Sequence, residues 1–317
     1  MNEYDVVVIG GGAAGLSAAL VLTRARRRVA VIDAGQPRNA PAAHMQGFLG
    51  SDGLAPTELL ATGRDEVAGY GGHFLSGTVT RINPSPATAA GRMGFEVTLE
   101  DSPSLRTRRV LVTTGLHDDI PDLPGVRERW GRDLLHCPYC HGYEVRDQPL
   151  GVLGGTPEAV LHAHLVRQWS DDVVFFPNGD PLTAEQRQQL AARAIEVVEG
   201  AVAGLVVEND RLTGVELVTG HVVPRAAVFV RPRFVPNDTL LTALGCVTDD
   251  NGWVVADATG RTSVAGVWAA GNVSNARAQV ITAAGEGSAA AIAINNGLVE
   301  EDIPSPVADI QQGAQLS

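Results

Sequence analysis

Lysine is missing from this 317-residue chain, so all 24 basic residues are arginines, outnumbered by 36 acidic ones for a formal charge of -12. No basic stripe interleaved with aromatics is present, and the acidic balance repels phosphate backbones, which argues against a nucleic-acid partner. Long apolar runs are also lacking. Gly, Asn or Gln breaks each one well before the ~18 apolar residues of a membrane span. The first residues enter a strand almost at once and show no charged-then-apolar leader, so a cytoplasmic protein with no membrane partner is expected. Cysteine is scarce. Three are too few for a disulfide-stapled secreted scaffold, and in a reducing compartment a close pair points to catalysis or metal binding. Cys246, in "LGCV", stands alone and reads as a small buried hydrophobe.

What is present fits an ordinary globular protein, with 44% hydrophobic and 19% charged residues. The length argues for two domains, because single cores stop growing at roughly 250 to 300 residues. Residues 4 to 33 read as strand, turn, helix and strand. The apolar run Val6 to Ile9 ends in Gly10-x-Gly12-x-x-Gly15, a small-residue helix follows, and a second apolar run closes on Asp33. Gly10 suits the tight turn, Gly12 lets backbone approach a pyrophosphate, and Gly15 lets helix pack on strand. The helix start, with Ala13 and Ala14, offers free N-H groups to that pyrophosphate, and Asp33 can accept from a ribose diol.

Residues 151 to 177 repeat the shape, with a strand, Gly154, a helical stretch and a second strand at Val173 to Phe176. Aligning Gly154 with Gly10 puts Thr156 opposite Gly12 and Ala159 opposite Gly15. Pro177 then falls opposite Asp33. A Thr side chain crowds the place where backbone must touch pyrophosphate, although Ala at 159 is tolerated. Pro177 offers no carboxylate, and "FFPNGDPLT" holds no arginine for a 2'-phosphate, so efficient NADPH use is not expected; Asp180 is the residue left to reach a ribose.

The chain then returns to the first domain. A strand ends in Thr113-Thr114-Gly115, and Gly271-Asn272 precedes a small-residue helix from about Gln279 and Val280. The expected fold is α/β, two Rossmann-like three-layer nucleotide-binding domains with the second inserted into the first. Residues 1–117 and 242–317 form one domain, and 118–241 form the inserted, NAD(P)-binding-like domain that carries the cysteine pair. The last residues, "SPVADIQQGAQLS", read as a solvated tail.

"HCPYCHGYEV", residues 136 to 145, holds Cys137 and Cys140 with a histidine on each side. A structural zinc site wants four N or S ligands, usually two close pairs, and only one pair is here; no metal site is expected. A redox pair fits better, because a C-x-x-C can open and close a short-loop disulfide. Zinc and an inert buried pair remain the alternatives. His136 reads as a structural residue.

Over nearly its whole length the chain resembles the low-molecular-weight thioredoxin reductase family of flavoproteins, through Gly10 to Gly15 with Asp33, Thr113 to Gly115, Cys137/Cys140, Gly271-Asn272-Val273 and Arg277-x-Gln279. That resemblance implies an FAD-binding first domain, a homodimer, Asp33 on the adenosine ribose, Asn272 near the ribityl chain and Gln279 by the flavin ring. The family has Asp where Asn272 stands. "CPYCHGYE" resembles more specifically the branch of dithiol oxidases that close disulfides in natural products such as gliotoxin and holomycin. There the implied substrate is a small-molecule dithiol, the final acceptor O2, and the source of electrons no nicotinamide. By the same resemblance Cys140 faces the flavin and Cys137 exchanges with substrate. Ordinary thioredoxin reductases carry an acid after the second cysteine; here it is His141, which titrates near neutrality and suits taking a proton from an incoming thiol. An NAD(P)H-dependent thioredoxin-disulfide reductase and a non-catalytic flavin/thiol sensor are the competing readings. Within residues 44 to 60, His44 and Phe48 are candidate pocket residues. Arg231 and Arg233 replace small residues that the family has at that turn, with no role assigned.

Overall fold

The structure, a computed structural model, describes residues 3–85, 94–156 and 158–303. The tail expected at 305–317 lies outside the described residues. Two compact units are present: Met1–Pro37, Leu59–Leu116 and Pro236–Ser317 in one, Arg38–Glu58 and His117–Val235 in the other.

The first unit is built on strand Glu3–Ile9, which lies between Val29–Asp33 and Leu105–Val112, parallel to both. His73–Ser76 extends the parallel set beyond Val29–Asp33, and Val267–Ala269 adds to Leu105–Val112. Val79–Ser85 and Gly94–Leu99 continue the sheet as antiparallel strands, making seven in all. Alternation along the central strands sorts the apolar side chains by face. Val6, Val8, Val29 and Val31 pack with helix Ala13–Arg24 and the long helix Val280–Asp302, while Val7, Ile9, Ala30 and Ile32 pack with Phe95, Val97, Leu241 and Cys246. Cys246 is buried there with its thiol against Thr262 Oγ1, as its sequence context suggested.

The second unit repeats the plan around a five-stranded parallel sheet with Leu150–Leu153 at its centre. One face, with Val152, Phe175 and Phe229, packs on helix Ala159–Val166 and on Leu190; the other, with Leu153, Phe176 and Val228, packs on Val202, Leu212 and Val215 of a three-stranded antiparallel sheet. Each unit is therefore a layered α/β fold of the Rossmann kind. The edge strand Leu134–Leu135 pairs with Val228–Phe229 and runs directly into Cys137, so the cysteine pair sits past the carboxyl end of a parallel strand. Open α/β sheets place their ligands at that edge.

Apart from a one-residue shift at 116/117, the division differs from the expected one in two places. The first unit resumes at Pro236 rather than 242, and Arg38–Glu58 groups with the second unit. The cause is local: the Arg38 guanidinium donates to both oxygens of Asp118 at 2.8 and 2.6 Å and lies over the Phe234 ring at 5.1 Å. Pro41 also packs so closely on Gly131 that a Cβ there would come within 2.9 Å of it. Among the described residues no helix is long and apolar enough to cross a membrane.

Candidate active site

In the first unit, the turn after Glu3–Ile9 is shaped by close backbone approach. Gly10 has φ +109°, and a Cβ on it would lie 2.4 Å from the Thr113 carbonyl oxygen. A Cβ on Gly15 would lie 1.9 Å from the Gly10 carbonyl oxygen, so the helix touches the turn through bare backbone. Thr113 Oγ1 closes the contact by donating to the carbonyls of Ile9 and Gly10 at 3.0 and 2.8 Å. Gly12 is different: nothing lies within 4 Å of where its Cβ would be. It also caps the helix without a side-chain hydrogen bond, so the N-H groups at Ala13 and Ala14 begin the helix beside an open face. This cradle fits the pyrophosphate of a dinucleotide. Asp33 ends its strand beside the turn, and Arg64 pairs with its carboxylate while stacking over Phe74.

Thr114 and Gly115 are fixed by a reciprocal clasp, in which Thr114 Oγ1 donates to the Asn237 carbonyl at 2.6 Å and Asn237 returns bonds to both residues at 2.9 Å. Gly271, at φ +76°, opens a short 3₁₀ turn, and its N-H donates to Glu286 at 2.8 Å. Asn275 Nδ2 donates to the other oxygen of Glu286 at 2.6 Å. The Asn272 amide turns inward, Nδ2 donating to the carbonyls of Asn275 and Ala278 at 2.9 and 3.0 Å. A carboxylate has no proton to offer those two carbonyls, which gives a physical reason for Asn where the family has Asp. Gln279 is exposed at the N-cap of the long helix, which starts at Val280. That helix meets the first one so closely that a Cβ on Gly287 would lie 2.0 Å from the Ala14 carbonyl oxygen.

In the second unit, Cys137 and Cys140 are joined in a disulfide across a one-turn helix, Pro138–His141. Cys137 is its N-cap, with its carbonyl accepting from the N-H groups of Cys140 and His141 at 3.1 Å each. Pro at the first helical position suits the turn. Trp169 holds it from below: Tyr139 meets the Trp169 ring edge-on at 5.7 Å, and a Cβ on Gly142 would clash with that ring at 2.7 Å. His136 stacks on Trp130 at 6.1 Å and meets Phe234 edge-on at 5.6 Å. Burial, then the Arg38 charge, pushes its pKa down to about 3. It is a neutral packing residue at pH 7. His162, 5% exposed, is likewise pushed down to about 4, by burial and then Arg231, against a hydrogen bond to the His136 backbone.

His141 is shifted from the ordinary value of an exposed histidine. Burial holds its pKa below the ordinary histidine range, against an opposing pull from the Glu144 carboxylate. That shift favours the neutral, proton-accepting imidazole at pH 7. It lines a cavity of about 420 Å³ whose walls include Ala43, His44, Gln46, Arg132 and Glu144. That volume suits a compact small molecule. His44 is thus at the cavity; Phe48 is not among its lining residues. A second cleft, of about 400 Å³, lies along the repeated glycine turn and is lined by Gly154, Thr156, Pro177, Asp180 and Gln186. Arg233 pairs with Asp119 at 2.7 Å, and Arg231 Nε lies 4.0 Å from Glu158. Among the described residues no group of three or more His, Cys, Asp or Glu is placed to hold a metal ion.

Sequence reasoning missed four participants: Arg64 beside Asp33, Glu286 under the Gly271 turn, Glu158 opposite Arg231, and residues 40–43 as a wall of the His141 cavity.

Two nucleotide-type folds and a closed Cys-x-x-Cys turn define a dinucleotide-dependent thiol–disulfide oxidoreductase. The chain belongs to the pyridine nucleotide-disulphide oxidoreductase family, whose model matches residues 4–287. Its thioredoxin reductase-like members are FAD-dependent flavoproteins. Among solved structures, that of HlmI is similar at 59% identity and a TM-score of 0.92, covering 98% of this chain and 96% of that one. The thioredoxin reductase tcpT of Claviceps purpurea is 31% identical over 86% of this chain and 87% of its own length. A probable thioredoxin reductase of Arthroderma benhamiae is 33% identical over 58% of this chain, and the match spans 46% of that relative.

Proposed function

We propose that the enzyme oxidises a small-molecule dithiol to a cyclic disulfide, with O2 as the final acceptor. The observation that carries this reading is the cavity in the second unit lined by His141, the residue next to the disulfide-bonded Cys140. A guest thiol gives its proton to the His141 imidazole, and the thiolate attacks Sγ of Cys137. The Cys137–Cys140 bond breaks and Cys140 leaves as a thiolate. The second guest thiol then attacks the mixed disulfide, which frees a cyclic disulfide and leaves both cysteines reduced. Each turn moves two electrons and two protons from guest to protein. FAD held in the first unit would supply the two-electron acceptor for the reduced cysteine pair and the centre at which O2 would be reduced to hydrogen peroxide.

The residues proposed to hold FAD are Gly10, Gly12, Ala13, Ala14 and Gly15 at the pyrophosphate, Asp33 at the ribose, and Thr114, Gly115, Gly271, Asn272, Gln279 and Val280 along the rest of the cofactor. The open face at Gly12 supports the first group. Arg64 pairs with Asp33 and orients its carboxylate. A cytoplasmic homodimer is part of the same reading.

The names of the fungal relatives favour a second reading, a thioredoxin-disulfide reductase driven by NADPH or NADH. Thr156, Pro177 and the charged Glu158 at the repeated glycine turn weigh against it. Oxygen uptake with excess dithiol, monitored with peroxide formation, tests the proposal. The expected result is many equivalents of O2 consumed per flavin, one peroxide per disulfide formed. A single stoichiometric event would indicate a sensor and contradict it.

A further inference from the structure

The repeated turn of the second unit keeps its shape. A Cβ on Gly154 would lie 2.7 Å from the Pro177 carbonyl oxygen, Gly154 N-H donates to the Phe176 carbonyl at 2.7 Å, and Gly155 has φ +105°. A helix follows at Ala159–Val166 with Glu158 as its N-cap. In the first unit the position four residues after the turn glycine is Ala14, buried and uncharged; here the matching position carries a carboxylate. Glu158 makes no side-chain capping bond to its own helix. Its partner comes from across the sheet: Arg231, immediately after strand Ala227–Val230, approaches to 4.0 Å. Strands Leu150–Leu153 and Ala227–Val230 are neighbours, so the pair spans the carboxyl edge where a dinucleotide crosses a doubly wound sheet.

We propose that Glu158, steadied by Arg231, sets a negative charge beside the second cleft, at the helix start where a dinucleotide phosphate would dock, and that this charge bars a pyridine dinucleotide. The proposal deepens the reading above, in which electrons enter from a dithiol, by naming the residues that close the other entrance. A helix N-terminus attracts an anion, and a carboxylate fixed beside it repels an incoming pyrophosphate. The neighbouring cleft, with Asp180 and Gln186 on its rim and Phe175 in its wall, remains open to an uncharged group such as a nucleoside. Exclusion therefore acts on the phosphates rather than on the whole ligand.

The test uses the FAD-loaded protein, with ADP and adenosine as probes in titration calorimetry. Wild type is expected to bind ADP more weakly than adenosine. Glu158→Gln keeps the shape and removes the charge, and is expected to strengthen ADP binding about tenfold or more with adenosine unchanged. Arg231→Gln leaves the carboxylate unneutralised and is expected to weaken ADP binding further. Unchanged ADP affinity in Glu158→Gln, an equal gain for adenosine, or tighter ADP binding in Arg231→Gln would each overturn the proposal. Dithiol turnover should stay at the wild-type level in Glu158→Gln. Absence of that turnover from wild type as well would strike the proposed function while leaving the ADP comparison readable.

Discussion

Serine at both 137 and 140 is expected to lower dithiol-dependent oxygen uptake by on the order of 10⁴-fold or more, while the protein stays yellow. The exchange route needs a sulfur that can be attacked and a second that can leave, and a hydroxyl does neither, so no slower version of the same path remains. FAD retention follows from the architecture, since the glycine turn, Thr113 and the Gly271 loop belong to a unit that does not contain the cysteines. Loss of the crosslink itself costs little, because a loop this short contributes about 2 kcal/mol in the chain-entropy account. Comparing flavin content, melting temperature and turnover of the double variant with wild type checks all three parts. Turnover persisting at the wild-type rate would remove the cysteines from the mechanism.

His141→Asn is expected to reduce kcat/KM for a dithiol by roughly 10² to 10⁴-fold, the usual contribution of a positioned base. The amide has similar bulk and can hydrogen-bond, but it cannot carry off a proton at neutral pH. The pH profile separates this role from a packing role. Burial lowers the His141 pKa from the ordinary histidine value, so the basic form is favoured at neutrality and is lost as pH falls through that lowered value. Wild type should therefore show an acid limb in kcat/KM at a pH below that of a solvent-exposed histidine. The variant should lack that limb and instead rise with pH as the guest thiol ionises unaided. An unaltered acid limb in His141→Asn would assign the titration to another group.

Much of the fold could be read from local pattern. The apolar run ending in Gly10-x-Gly12-x-x-Gly15 and the acid at 33 lie within one strand-turn-helix-strand unit, where spacing alone dictates geometry. Strand Val173–Phe176 was legible for the same reason, and the long helix differs from its expected start by one residue. The cysteine pair and His141 are also neighbours in sequence, and the turn that joins them needs no distant partner. The illegible part consists of pairs made at long range. Arg64 reaches Asp33 from 31 positions away, Arg38 reaches Asp118 from 80, and Arg231 meets Glu158 from a different strand. No periodicity encodes such partners. The lowered pKa of His141 was hidden as well, since a loop histidine reads as solvated until its cavity is seen. Asn272 lay in between: its place in the Gly271 loop was readable, but the two carbonyls that demand an amide were not.

The central claim is that electrons enter through Cys137 and Cys140 from a compact thiol and not from a dihydropyridine. Anaerobic stopped-flow mixing of the FAD-loaded protein with dithiothreitol, NADPH or NADH, followed by the yellow flavin absorbance, puts this to the test. The account predicts rapid bleaching by dithiothreitol, abolished in the double-serine variant, and none by either nicotinamide. Rapid bleaching by NADPH or NADH, with dithiothreitol inert, would contradict it.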